Sequence, residues 1–301
     1  MKNIPSISAE SFRKTNKILI IIYPLLAIVI AIGFFLAMKS DFEPAIGHFK
    51  QGSVGFIMSI IGIAVSAALA FIYSRFMTRS LAIVDEPHDS TLDLFGSIFG
   101  AAMAIITALF MLAKFELMTI IEKGAAIFLF ALAGSLILGC VSSMRTSKIR
   151  SLCAVLGALS INLTIFSCYF DLSLPLNSPI RNLLLVAQLS ALLFLLSEAR
   201  LTFGAKSGRS TVSFAYLSSA LAATITLGYS LGGVLVYLFA PLKNDPNPMV
   251  SRLGLYIAIG VIAIGRLAAL PSLSDDKSEG SSEDADVVES EHEAEQNEHA
   301  E

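Results

Sequence analysis

Six side chains that could do chemistry lie close together in a chain otherwise poor in such groups: Asn162, Asp171, Arg181, Gln188, Glu198 and Arg200. Asp171 and Arg181 bracket the segment 168-CYFDLSLPLNSPIRN-182 between two long apolar runs. Ser178 is a good N-cap residue, and Pro179 at a first helical position needs no amide partner. Asn177-Ser178-Pro179 therefore marks a helix start, with Asp171 closing the preceding helix and Arg181 opening the next. Each charge stands at the disfavoured end of its helix dipole, so an Asp171–Arg181 ion pair across the hairpin would relieve both. Gln188 follows Arg181 by two turns on nearly the same face, since successive residues are about 100° apart. The spacing predicts Gln188 against Ser160 or Thr164, with Asn162 turned toward a different helix. Glu198 ill suits a helix C-terminus and calls for a cation, the nearest supply being Arg145, Lys148 and Arg150, whereas Arg200 suits that position. Neutral amides and hydroxyls within a bilayer act as interhelical glue, or they line a path for a polar solute.

The elements that must position these groups are membrane helices. Of 301 residues, 55% are apolar and 15% charged, against about a quarter charged in soluble chains. Uncharged stretches recur at 18–38, 51–74, 94–113, 124–144, 151–170 and 210–242. A stretch of about 18 or more such residues spans a bilayer core of roughly 30 Å. With the shorter runs 182–197 and 253–265, the pattern predicts an all-α polytopic bundle of about eight transmembrane helices over 17–270. In the last helix Arg252 and Arg266 must snorkel. Pro24 lies in the first turns of the opening helix, where it would kink it. Thirteen Lys and Arg fall on the side of the N-terminal segment 1–16 and seven on the other, with Arg266 inside the last helix. This bias predicts both termini in the cytoplasm and a multi-pass protein of the cell membrane. Segment 271–301 is acidic and nearly devoid of apolar residues, so it is expected to be a disordered tail.

Within the helices, small residues recur every three or four positions: Gly52, Gly55, Ser59, Gly62, Ser66 and Ala70; Gly96, Gly100 and Ala104; Cys153, Gly157, Ser160, Thr164 and Ser167. Such stripes let helix backbones approach where lipid supplies little hydrophobic drive. Tyr23, Tyr73, Tyr169 and Tyr237 lie near helix ends, as an interfacial aromatic belt would place them. Gly232-Gly233, in a run too long for one untilted helix, marks a break or a close contact. Asp41-Phe-Glu-Pro44 and Asp171-Leu-Ser-Leu-Pro175 precede the second and sixth helices, which suggests a tandem repeat of helices 1–4 and 5–8.

The run 170-FDLSLPLNSPIRNLLLVAQLSALLFLLSEARLTFG-204 resembles an uncharacterised family of bacterial multi-pass membrane proteins, through Leu176-Asn-Ser-Pro179 and Glu198-Ala-Arg200. That resemblance implies membrane architecture and no activity.

The chain lacks an H-E-x-x-H helix and a G-x-S-x-G elbow, and its four histidines are scattered. In the loop 74–94, Asp85, Glu86, His88, Asp89 and Asp93 read as a structure-breaking turn, with Ser90 and Asp93 capping the next helix, rather than as a metal site. The three cysteines fall within predicted helices and suggest neither disulfide nor zinc framework. No catalytic residue, cofactor or metal is expected, and no nucleic-acid partner. The expected partners are the lipid bilayer and an unidentified membrane or cytoplasmic protein. The reading is thus a non-enzymatic structural, sensory or partner-binding bundle. The alternative is a small-solute carrier or channel with its path between helices 1–4 and 5–8.

Overall fold

The computed structural model describes residues 9–43, 46–77, 91–113, 116, 118–141, 147–170, 175, 178–202, 209–239 and 250–269. The helices are α1 (Ala9–Leu36), α2 (Val54–Ile72), α3 (Thr91–Leu112), α4 (Ile120–Cys140), α5 (Lys148–Phe170), α6 (Pro179–Thr202), α7 (Arg209–Leu221), α8 (Leu227–Phe239) and α9 (Val250–Ala269). Wider π-helical turns extend α1 through Ala37–Asp41 and α2 through Tyr73–Met77, and a third (Ala222–Thr226) fuses α7 and α8 into one rod. The described residues form an all-α bundle of eight rods. Seven are long and apolar enough to cross a membrane among the described residues. α1 runs on through Pro24. A two-residue strand pair, Phe42–Glu43 with His48–Phe49, is the one sheet among the described residues.

Lipid is the natural solvent for the outer surface. α1 exposes Ile18, Ile21, Leu25, Ile28 and Ile32, and α2 to α5 present comparable apolar rows. Such continuous apolar area would be a liability in water. α9 differs: none of its described large apolar side chains is exposed, and Leu253, Leu255, Ile259 and Leu267 are almost fully buried. It is a core helix, shielded by its neighbours.

From α3 onward each rod packs on the next, and α9 returns against α3 to close a circuit of contacts. The α1–α2 pair joins this circuit from outside, with α1 against α8. The α1–α8 seam has no counterpart of similar extent between α5 and α3, as a tandem repeat would require, and α2 and α3 share no extensive contact. The contact seams of helices 1–4 are thus not repeated by helices 5–8 among the described residues.

Small residues make the closest seams. A Cβ built on Gly55 would stand 2.6 Å from the Gly33 carbonyl oxygen of α1, and Ser59 Oγ donates to the Ile30 carbonyl at 3.2 Å. Gly96 meets Ile262 of α9, and Gly157 meets Leu132 of α4. The small-residue stripes thus mark helix contacts, except for Gly52, which lies in the turn before α2 with open space beside it. Gly232 packs on Ala31 and Phe34 of α1, and Gly233 on Leu253. The helix passes through both without interruption, so Gly232-Gly233 is a close contact and the π turn lies elsewhere.

Local caps fix several helix starts. Ser53 Oγ accepts from Phe56 N at 3.3 Å and donates to Asp41 at 2.6 Å. Thr119 and Glu122 form a complete capping box on α4. α6 begins at Pro179 as its sequence predicts; Asn182 N donates to Ser178 O at 3.1 Å, and Ser178 Oγ donates to the Gly47 carbonyl at 2.9 Å. The proposed Ser90 cap and the segment 271–301 lie outside the described residues.

Candidate functional site: a buried ion cluster inside the helix circuit

Two contacts set α6 against α9. Gln188 Nε2 donates to Tyr256 Oη at 3.3 Å, and the Arg266 guanidinium donates to Glu198; both pairs are 68 residues apart in sequence. A constant offset means that the two helices run parallel and in register. They face one another across the interior of the circuit.

Arg266 is the centre of the site. Its Nε and Nη2 donate to the two Glu198 oxygens at 2.8 and 2.6 Å, and Nη2 also lies 3.4 Å from Asp93 Oδ2. The Arg266 side chain is 4% exposed, against 13% for Glu198 and 12% for Asp93. The fork matches guanidinium geometry to carboxylate geometry, the strongest form of charged hydrogen bond. Because α9 is enclosed by protein, Arg266 does not snorkel; carboxylates from α3 and α6 come to it instead. Arg150 of α5 joins the cluster with its guanidinium against Gly139 of α4. The charges balance, two carboxylates against two guanidiniums.

These four groups line a small cavity of ≈ 30 Å³ together with Ser97, Ser135 and Thr202, and Leu132, Phe194 and Ile262 supply apolar wall. That volume suits about two water molecules. Asp93, Ser97, Ser135 and Glu198 offer oxygens to such waters. The cluster draws on five helices and sits at the bundle end where α3 and α5 begin and α4, α6 and α9 finish. Since Arg150 and Arg200 also lie there, it is termed the basic end.

Sequence-predicted residues fare differently. Glu198 does find a cation: Arg266 of α9 bonds it directly, and Arg150, one of the three cations expected from the sequence, lines the same cavity. Gln188 is 2% exposed and bonds Tyr256 instead of the α5 hydroxyls. Thr164 Oγ1 donates to its own helix at Ser160 O, and Ser160 Oγ is buried with no hydrogen-bond partner among the described residues. Asn162 is half-buried and Arg200 exposed. Asp171 lies outside the described residues, as does the expected Asp171–Arg181 pair; Arg181 itself is 2% exposed. The acidic loop residues 85–89 also lie outside, and among the described residues no group of three or more His, Cys, Asp or Glu could hold a metal ion.

Sequence reasoning missed the centre of the cluster. The one available signal was an arginine inside an apolar run, which reads equally as a snorkelling residue. The tyrosines divide as well: Tyr169 and Tyr237 are exposed near helix ends, but Tyr23 and Tyr73 are buried around Tyr216. Tyr23 Oη lies 3.4 Å from Tyr216 Oη, and the Tyr73 and Tyr216 rings are 4.7 Å apart. Burial of a phenol calls for a hydrogen-bond partner, and the pair supplies one.

Fold and cluster together define a polytopic, all-α membrane protein with a neutralised ion cluster inside. Compared with family models, with curated proteins and with solved structures, the chain finds no match in any of the three.

Proposed function

We propose that this chain is a non-enzymatic, multi-pass protein of the cell membrane, a structural, sensory or partner-binding bundle, with its basic end and both termini in the cytoplasm. The observation that carries the reading is how the interior charges are used. Arg266 is occupied by Glu198 and Asp93, and the cavity beside them is no larger than about two waters, which leaves no room for a metabolite. A buried ion cluster fixes which helices may neighbour one another, since any other pairing would strand a charge in apolar surroundings. Its partners are the lipid bilayer and an unidentified membrane or cytoplasmic protein.

A second reading, a small-solute carrier or channel, is favoured by the polar groups spaced along the α6–α9 interface. Purified protein reconstituted into liposomes decides between the two. The first reading expects vesicles as tight to ions and small polar solutes as protein-free ones. Saturable, protein-dependent flux that Glu198→Gln abolishes would replace it with the second.

A further inference from the structure

Among the described residues Arg181 is, with Arg266, one of two arginines in the buried class, and it lies at the opposite end of the bundle. It is the largest of the fully buried side chains. Both terminal nitrogens, Nη1 and Nη2, have no hydrogen-bond partner among the described residues. Its direction follows from the helical period: Arg181, Gln188, Leu195 and Thr202 recur every seven residues on α6, a spacing that keeps them on roughly one face. Leu195 and Thr202 line the cavity, and Gln188 reaches Tyr256, so that face looks into the helix circuit. Gln188 Oε1 is also buried without a partner.

An arginine cannot shed its charge by losing a proton. Leaving a guanidinium dry and unpaired is strongly unfavourable. The position makes the deficit worse, because the first turn of α6 carries the positive end of the helix dipole. By the 68-residue offset of the two α6–α9 contacts, Arg252 of α9 stands level with Leu184, one turn deeper, and adds a further positive charge. Three sources of positive potential lie at this end of α6 and α9, and no described residue bonds the terminal nitrogens of Arg181.

We propose that Arg181 and the N-terminal turn of α6 form a binding site for a phosphate-type oxyanion. Two adjacent oxygens of the anion take the forked N–H groups of Nη1 and Nη2, the pairing for which guanidinium is suited. The helix start receives the remaining charge. α6 begins at one end of a membrane-spanning stretch, the level at which both lipid headgroup phosphates and dissolved phosphate are met. The chemistry is shared by the two sources, and the experiment separates them.

Delipidated full-length protein in a neutral detergent is titrated with inorganic phosphate, with phosphatidylglycerol, or with diacylglycerol, which has the tails without the phosphate. Melting midpoint and native mass spectra are followed. One phosphate-bearing arm is expected to raise the midpoint saturably; the free-phosphate arm alone marks a dissolved ligand, and the phosphatidylglycerol arm alone a headgroup. Diacylglycerol leaves the midpoint unchanged. Arg181→Gln abolishes the response, and Arg181→Lys, which keeps the charge but loses the fork, weakens it about tenfold. Ligand-free Arg181→Gln should melt no lower than wild type, because it removes an uncompensated charge. No response in either phosphate arm, an undiminished response in Arg181→Gln, or a lower ligand-free midpoint for that variant would overturn the proposal. The last result would mean that a protein carboxylate already neutralises Arg181.

Discussion

Arg266 and Glu198 are joined by two charged hydrogen bonds of 2.8 and 2.6 Å between helices that run parallel in register. The second contact of that register, Gln188 with Tyr256, lies ten residues nearer the start of each helix, about 15 Å at 1.5 Å per residue. The two contacts act as pins. One is ionic and one neutral, and they are expected to differ in how much each contributes.

Removing half of the ionic pin leaves its partner charged and buried. Glu198→Ala is expected to destabilise the protein by about 3–5 kcal/mol, seen as a lowered unfolding midpoint in detergent. Replacing both partners with apolar residues, Glu198→Leu with Arg266→Met, should recover most of that loss. Double-variant stability as poor as that of the single variant would show that the cluster does more than satisfy its own charges.

The neutral pin is weaker. A double-mutant cycle of Gln188→Leu and Tyr256→Phe should give a coupling of about 0.6 kcal/mol, the average for interhelical hydrogen bonds in a membrane. A coupling near zero would mean that shape alone sets this stretch of the interface.

Backbone proximity predicts an asymmetry between glycines. Gly55→Ala pushes a methyl group toward the Gly33 carbonyl and the Ala37 amide of α1, 2.6 and 2.5 Å away, atoms that cannot yield without moving a helix. Gly124→Ala meets only the flexible end of Leu163, at 3.2 Å. The first substitution should cost about 1–3 kcal/mol by overpacking, and the second should be near neutral. Thermal unfolding of the two variants side by side checks the order.

Orientation is open to a labelling test. Ile120, 87% exposed at the start of α4, and Lys148, exposed at the start of α5, lie at opposite ends of the bundle. In a background with Cys140, Cys153 and Cys168 replaced by serine, Ile120→Cys should react with a membrane-impermeant maleimide in intact cells. Lys148→Cys should react only after permeabilisation. The reverse pattern would invert the positive-inside assignment.

Much of this architecture could be read from the chain alone. Uncharged runs of bilayer length located the helices, the small-residue stripes of α2, α3 and α5 located their contact faces, and Asn177-Ser178-Pro179 located the start of α6. These features are local: a span is set by its own length and hydropathy, a contact face by helical period, a cap by a few adjacent residues. What tertiary structure alone decided is which contact each polar group makes. Lipid and protein interior are both apolar, so hydropathy could not show that α9 is enclosed and that Arg266 therefore meets Glu198 and Asp93 instead of reaching for the membrane surface. In the same way Tyr23 and Tyr73 carry the composition of a membrane-edge belt, yet turn inward onto Tyr216 because the neighbouring rod, some 140 to 190 residues distant in sequence, brings a third hydroxyl to them. Period fixes the direction in which a side chain points; only the packing of distant segments fixes what it finds there.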